Sequence, residues 1–399
     1  MSNTQKKNVP ELRFPGFEGE WEEKKLGDLT DRVIRKNKNL ESKKPLTISG
    51  QLGLIDQTEY FSKSVSSKNL ENYTLIKNGE FAYNKSYSNG YPLGAIKSEM
   101  SKDFMEAYFD STHWYREVSG IAVEGARNHG LLNVSVNDFF TILIKYPSLE
   151  EQQKIGKFFS KLDRQIELEE QKLELLQQQK KGYMQKIFSQ ELRFKNENGN
   201  DYPDWERIKF FDVIDKVIDF RGRTPKKLNM EWSDEGYLAL SAVNVKKGYI
   251  DFNVEAKYGN LDLYTRWMRG NELYKGQVLF TTEAPMGNVA QVPDNKGYIL
   301  SQRTIAFNSN EKITDNFLAS LLSSENVYND LLKLCSGATA KGVSQKNLNR
   351  LYVTIPHSIS EQEEIAEFFR KINQLVELQK YKIEHTKSQK QVFLQKMFI

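Results

Sequence analysis

The chain contains a second copy of its own framework, and this constrains the fold more than any single motif. EQQKIGKFF from Glu151 returns as EQEEIAEFF from Glu361, and MQKIF from Met184 returns as LQKMF from Leu394, at the same ungapped 210-residue offset (151 to 361, 184 to 394). A repeat of this length marks a structural unit used twice. The openings repeat as well: ELRF at 11–14 reappears at 191–194, and Trp21, Leu26 and Leu29 are matched by Trp205, Phe210 and Val213. The order is therefore module (1–149), helical segment (150–190), module (191–359), helical segment (360–399). Between their ends the modules diverge, although GEFAY at 79–83 aligns with GQVLF at 276–280, an apolar alternation after a turn glycine. The sequence shows two modules with like scaffolds and unlike middles.

Each copy of the helical segment follows an apolar stretch and a proline, Pro147 in the first and Pro356 in the second. This reads as a closing strand followed by a helix start. Neither segment contains an internal proline, so each predicts a long helix of about 60 Å at 1.5 Å per residue. In the first, Ile155, Phe159, Leu162, Ile166, Glu169, Leu173, Leu176, Lys180, Tyr183 and Ile187 alternate spacings of four and three, the seam of a coiled coil. The second seam runs Ile365, Phe369, Ile372, Val376, Gln379, Ile383, Thr386, Lys390, Phe393 and Met397. The seam favours pairing of the two helices; the alternative is that each amphipathic helix packs on its own module.

Both seams turn polar at the same two places, Glu169 and Lys180 in the first helix and Gln379 and Lys390 in the second. An antiparallel register that sets Glu169 level with Lys390 and Lys180 level with Gln379 pairs all four. Such polar layers fix register in other coiled coils. The alternative is that each snorkels to water independently.

Composition narrows the function. The net charge is only +4, and basic and acidic residues are balanced in all four segments, so nucleic-acid binding requires the fold to sort basic side chains onto one face. No apolar run of membrane-spanning length exists, and the first residues lack the apolar core of a signal peptide, so a cytoplasmic protein is expected. One cysteine, Cys335, excludes an internal disulfide, and with four scattered histidines it gives no recognisable zinc set. The chain has no Pro-Pro pair for an adenine-methyltransferase motif and no G-x-x-x-x-G-K-[ST] phosphate loop. Pro293-Asp294-Asn295-Lys296 begins like a metal-dependent nuclease motif but reads as a turn.

Two variable modules, each followed by a near-identical long helix beginning Pro-x-x-x-Glu-Gln and ending Gln-Lys-x-Phe, resemble the specificity (S) subunit of Type I restriction-modification systems. The residues that carry the resemblance are 12–21 (LRFPGFEGEW), 21–26 (WEEKKL), 147–155, 356–365 and the two Gln-Lys-x-Phe ends, and together they cover essentially the whole chain. The resemblance implies a mixed α/β protein with two target recognition domains in tandem, the long helices pairing as an antiparallel coiled coil that separates them. It implies a non-catalytic subunit that binds double-stranded DNA at a bipartite site and carries two methyltransferase and two restriction (translocase/nuclease) subunits. S-adenosylmethionine, ATP and Mg2+ are then expected on the partner subunits, with no cofactor or metal in this chain.

Base edges are read by Arg, Lys, Asn, Gln, Ser and Thr, and phosphates by Lys, Arg and backbone amides, so loops rich in these residues are the candidate DNA contacts. In the second module RGRTPKK at 221–227 offers Arg221, Arg223, Thr224, Lys226 and Lys227 around a rigid proline and resembles a Gly-x-Thr-Pro loop of the family; Arg303 in SQRT and Lys341 in SGATAKGVS are further candidates. In the first module YNKSYSNGY at 83–91 supplies Asn84, Lys85, Ser86, Tyr87 and Asn89, and EGARNH at 124–129 supplies Arg127, Asn128 and His129. For each loop a solvated polar turn is the alternative. A self-sufficient enzyme and a coiled-coil adaptor that never touches nucleic acid remain open as other functions.

Overall fold

A computed structural model describes residues 8–49, 53–60, 70–84, 86–87, 93–121, 123–124, 132–254, 256–335 and 342–399. The chain forms two compact units, one of residues 1–170 with 381–399, the other of residues 171–380. Each unit thus holds one module together with a part of both long helices.

In the first unit the module is closed by its own ends, Glu22–Lys25 pairing antiparallel with Leu143–Tyr146. Behind that pair, Leu93–Ser98 lies between Thr30–Arg32 and Phe81–Asn84 in an antiparallel sheet. Helices Lys102–Phe109, Thr112–Ile121 and Val136–Thr141 follow. The second unit repeats the plan. Glu206–Lys209 pairs with Tyr352–Ile355, and Thr304–Ser309 lies between Ile214–Asp219 and Val278–Thr281, with Val289–Gln291 added at the edge. Its helices are Asp315–Leu322, Glu325–Leu334 and Gln345–Leu348, each opened by a Thr or Ser whose hydroxyl accepts an otherwise unpaired amide of the first turn. The turn glycines before the aligned strands, Gly79 and Gly276, have φ of +88° and +90°, a backbone conformation that side chains with a Cβ rarely adopt.

The second module adds a layer that has no counterpart among the described residues of the first. Tyr237–Leu240 is flanked by Tyr258–Gly259 and, in parallel, by Ile299–Leu300, with helix Leu261–Met268 packed near them. Val278–Thr281 is consequently buried along its whole length. Val278 and Phe280 face the core shared with the long helices, and Leu279 faces a separate core around Trp267. Period-two alternation thus serves two interiors. In the first module the corresponding stretch between framework strands contains the hairpin Leu46–Ser49/Gly53–Asp56.

The repeated helix-start signature has a structural purpose. Glu151 is 1% exposed and accepts from Nε and Nη2 of Arg13, each at 2.7 Å, while Glu361, 0% exposed, accepts from Arg193 at 3.1 Å and from Trp205 Nε1 at 3.0 Å. The next residue ties the helix to its module. Gln152 donates to Pro147 O and accepts from the amide of Ser101, and Gln362 donates to Pro356 O and accepts from the amide of Thr314.

The long helices are Leu149–Phe188 and Ile359–Met397, and within each unit they run antiparallel. In the first unit Phe159 meets Phe398, Asp163 meets Lys390 and Glu170 meets Lys387, one number rising as the other falls. The pairing obeys the duplication: Phe158 and Phe393 lie 5.1 Å apart edge to face, and their counterparts Tyr183 and Phe368 also 5.1 Å apart in the second unit. The register differs from that expected from polar seam positions. Glu169 pairs with Lys382 instead of standing level with Lys390, and Lys390 binds Asp163 at 2.6 Å and Asp110 at 2.9 Å. Lys180, expected opposite Gln379, makes no ion pair or hydrogen bond among the described residues. The aromatic layers decide the register. Fully burying a ring such as Phe159 or Phe398, each 1% exposed, is worth about 1.5–3 kcal/mol, against about 0–1 kcal/mol for a partly exposed ion pair that a flexible lysine can form at several levels.

Candidate nucleic-acid interface

In the second module four stretches far apart in sequence converge beyond the ends of the framework strands. Strand Ile214–Asp219 runs into the loop 220–227, and Val278–Thr281 into the turn 282–288. Ser301–Arg303 precedes Thr304–Ser309, and the fourth stretch begins at Gly342. Backbone bonds lace them together: Thr282 N–H donates to Arg303 O, Val343 N–H to Thr282 O, and Glu283 bridges Gly342. Side chains complete the network, Gln302 donating to Arg223 O at 3.4 Å and Gln345 to Asp219 at 2.9 Å.

On this platform Arg221, Lys226, Lys227, Gln302, Arg303 and Gln345 are exposed. Several are held in place. Arg221 pairs with Asp219 at 3.0 Å, Lys227 donates to Gly222 O at 2.6 Å, and Arg303 lies 3.3 Å from Glu283. Lys226 has no partner among the described residues and Thr224 opens the short helical turn Pro225–Leu228, whose proline is buried. The arrangement offers guanidinium and ammonium groups beside amide donors and acceptors, the mixture that phosphates and base edges require.

Arg223 departs from the expectation of a side chain turned to DNA. It is half-buried, its guanidinium lies 4.2 Å from the Phe220 ring centroid, and it donates to Trp267 O. Sequence reasoning missed Gln302 and Gln345, which fasten neighbouring loops, and Glu283, which orients Arg303; only the convergence of the loops identifies them. Lys341 lies outside the described residues.

In the first module Asn84 ends strand Phe81–Asn84. Ser86–Tyr87 pairs with Leu132–Asn133, whose other neighbour is Val123–Glu124. The two candidate stretches of this module, forty residues apart, therefore flank one small sheet. Lys85, Asn89, Arg127, Asn128 and His129 lie outside the described residues. The basic run at 35–44 is in part structural, since Arg35 binds Glu80 at 2.8 Å and holds its carboxyl below the ordinary range. Asp294 closes a turn as expected, accepting from the Lys296 amide at 3.1 Å, and this bond lowers its pKa.

Comparison with known proteins gives one consistent result. The profile of the family described as Type I restriction modification DNA specificity domain matches residues 18–178 and again 202–386. The Type I restriction enzyme MjaVIII specificity subunit of Methanocaldococcus jannaschii is 28% identical over 264 residues, 63% of this chain and 60% of that protein. The putative type I restriction enzyme MjaX specificity subunit of the same organism is 27% identical over 252 residues, 59% of this chain and 54% of that protein. The chain thus spans under two thirds of the length of these relatives. Among solved structures, a Type I restriction-modification S subunit from M. genitalium superposes with a TM-score of 0.57 at 13% identity, covering 98% of this chain and 99% of that one. A chain from a structure of type I restriction-modification complex assembly and conformational transition gives 0.53 at 18% identity, covering 97% and 98%. At such identities these two likenesses establish the fold.

Proposed function

Because the chain belongs to the Type I restriction modification DNA specificity family, we propose that it is the subunit that reads DNA for such a system, each module reading one half of a bipartite site. The convergent platform of the second module carries this reading: Arg221, Lys226, Lys227 and Arg303 share one surface with Gln302 and Gln345 although they come from separate parts of the sequence. An otherwise balanced charge is thereby sorted onto a face that a duplex can meet. In this reading the paired long helices fix the separation of the half-sites, as dimer geometry does in other DNA readers. The chain itself performs no chemistry. It works in the cytoplasm with two methyltransferase and two restriction subunits, which supply the sites for S-adenosylmethionine, ATP and Mg2+. Among the described residues no helix is long and apolar enough to cross a membrane.

The direct test is a gel-shift series of the chain, alone and with a methyltransferase partner, on duplex DNA across a range of salt. Affinity is expected to fall steeply as salt rises, because neutralised phosphates release counterions. A coiled-coil adaptor that never touches DNA would give no shift at any salt. Replacing residues 1–149 with the module of another family member is expected to change one half of the methylated target and to leave the other half and the spacer intact. Mapping methylated adenines in a host genome checks this, and a change in both halves refutes independent reading.

A further inference from the structure

Lys180 and Lys390 occupy the same position in the two copies of the long helix, yet their surroundings differ in charge. In the first unit the Lys390 side chain is 12% exposed and is held by the carboxylates of Asp163 and Asp110. Burial works against its charge, but the two carboxylates more than offset this and raise its pKa above the ordinary lysine value. In the second unit the counterpart of Asp163, at the same 210-residue offset, is Asn373. The counterpart of Asp110 is Ser323. Each follows an eight-residue helix, Lys102–Phe109 or Asp315–Leu322, as its C-cap, with φ, ψ of −79°, −10° and −81°, −8°. Ser323 spends its hydroxyl on Ala319 O at 2.7 Å. Both carboxylates that serve Lys390 are therefore missing around Lys180.

Among the described residues no carboxylate takes their place in contact with Lys180, and the nearest acidic influence is the more distant charge of Glu377, itself bound to Lys380. Lys180 makes no ion pair or hydrogen bond among the described residues, and burial with the nearby Lys380 charge lowers its pKa. It lines a recess of about 710 Å3, whose wall also includes Asn373, Ser323 and Lys247. Lys247 lies 5.9 Å from the Tyr328 ring centroid and likewise has no carboxylate partner among the described residues. The acids on the wall are engaged elsewhere. Glu325 binds Lys181 and Gln185, Glu367 binds Arg370, Glu377 binds Lys380 at 2.8 Å, and Glu363 accepts from Asn316 at 3.4 Å.

We infer that this recess is a binding site for a small organic acid, whose carboxylate takes at Lys180 the place that Asp163 and Asp110 hold at Lys390. An ammonium withdrawn from water without a counter-ion is a costly arrangement that an incoming anion relieves. The recess falls within the roughly 300–1,000 Å3 of ordinary small-molecule sites. Two uncompensated ammonium groups on one wall favour a diacid, and the recess includes Gly287 of the turn 282–288 but none of the exposed basic side chains of the platform.

The test uses the full chain and glutarate, followed by calorimetric titration and by the thermal midpoint, with sodium chloride at matched ionic strength and inorganic phosphate as controls. Saturable glutarate binding is expected, weakened at least tenfold in Lys180→Met. Asn373→Asp returns one carboxylate to the lysine from within the chain. It is expected to raise the midpoint of the free protein and to abolish glutarate binding, a result that loss of folding cannot imitate. Three outcomes overturn the proposal: glutarate acting no differently from chloride, Lys180→Met binding it as the unaltered chain does, or phosphate binding as tightly as glutarate.

Discussion

Arg223 shows why residue type locates a recognition loop better than it assigns a role within it. A planar guanidinium that stacks and donates in several directions suits a base edge, and it equally suits the face of Phe220 and the carbonyl of Trp267. Only the fold distinguishes the two uses. Arg223→Ala is therefore expected to cost about 1–2 kcal/mol of stability, from one hydrogen bond and one cation–ring contact, seen as a lowered thermal midpoint. Its exposed neighbours divide differently. Lys226→Ala is expected to weaken binding on all sequences and to reduce the salt slope by about 1, whereas Arg221→Ala, if it reads a base, costs about 1–3 kcal/mol and blurs one position. Unchanged affinity for both at fixed salt would remove this loop from the interface. A pH effect is also expected in the first unit. His113 accepts from Arg116 at 2.7 Å through Nδ1 and lies 3.4 Å from Gln395 O through Nε2, and burial holds its pKa below the ordinary 6.5. The unfolded chain then binds the proton more readily, so this contribution is complete above about pH 6.5 and is lost as pH falls through the lower folded value. The midpoint of His113→Gln should fall less between pH 7.5 and 5 than that of the unaltered chain; equal falls would show that His113 contributes nothing.

Secondary elements were more legible than single side chains. The two long helices, the strands after Gly79 and Gly276 and the closing strands before each helix all follow from periodicity and punctuation, because each depends on a repeated local pattern. The register of the helices was not legible from the polar seam positions, since a lysine reaches beyond the level of its own Cα. Lys390 takes its partners from a flanking position, Asp163, and from the module, at Asp110. The rings carry the register instead. Phe398, 1% exposed, lies 5.7 Å from Phe159, 5.5 Å from Phe104, 5.7 Å from Tyr108 and 6.3 Å from Trp21. Phe398→Ala is expected to cost about 3–5 kcal/mol, with lost hydrogen-exchange protection centred on Lys102–Phe109 and the beginning of the first long helix. Protection lost only in the last turn of the second helix would show that this ring does not hold the module.

At the scale of the whole molecule, the duplication extends to how segments are joined. In the second unit the end of the first long helix carries the opening of the second module, Leu192 N–H donating to Lys186 O at 3.0 Å. In the first unit the same bond forms without a direct covalent link, Leu12 N–H donating to Lys396 O at 2.8 Å, reinforced by Lys396 and Glu11 at 2.6 Å. Met184, Ile187 and Phe188 lie in the core of the second unit just as Leu394, Met397 and Phe398 lie in that of the first. The repeat in the sequence foretold two modules, but not that the last helix turn would serve the first module, because a linear sequence does not state which copy a helix end will reach. The arrangement makes residues 189–190 dispensable as a connection, provided that the equivalent link is supplied elsewhere. A permuted chain that begins at Glu191, runs to Ile399, is joined there through one glycine to Glu11 and ends at Gln190 is expected to fold with unchanged helix content, the glycine taking the left-handed backbone that Gln190 has at φ +62°, and with a thermal midpoint lowered only by loss of the bond from Trp21 N–H to Asn8 O. The join asks the chain to span only what residues 189–190 span in the other copy, and the contacts of Leu12 and Leu192 exchange covalent and non-covalent roles. Circular dichroism and thermal unfolding of the permutant decide the matter. A permutant that is unfolded, while a version with a short Gly-Ser linker at the join folds, would show that the two junctions differ in geometry; failure of both would show that residues 189–190 hold the first long helix to the second module by more than the bonds they flank.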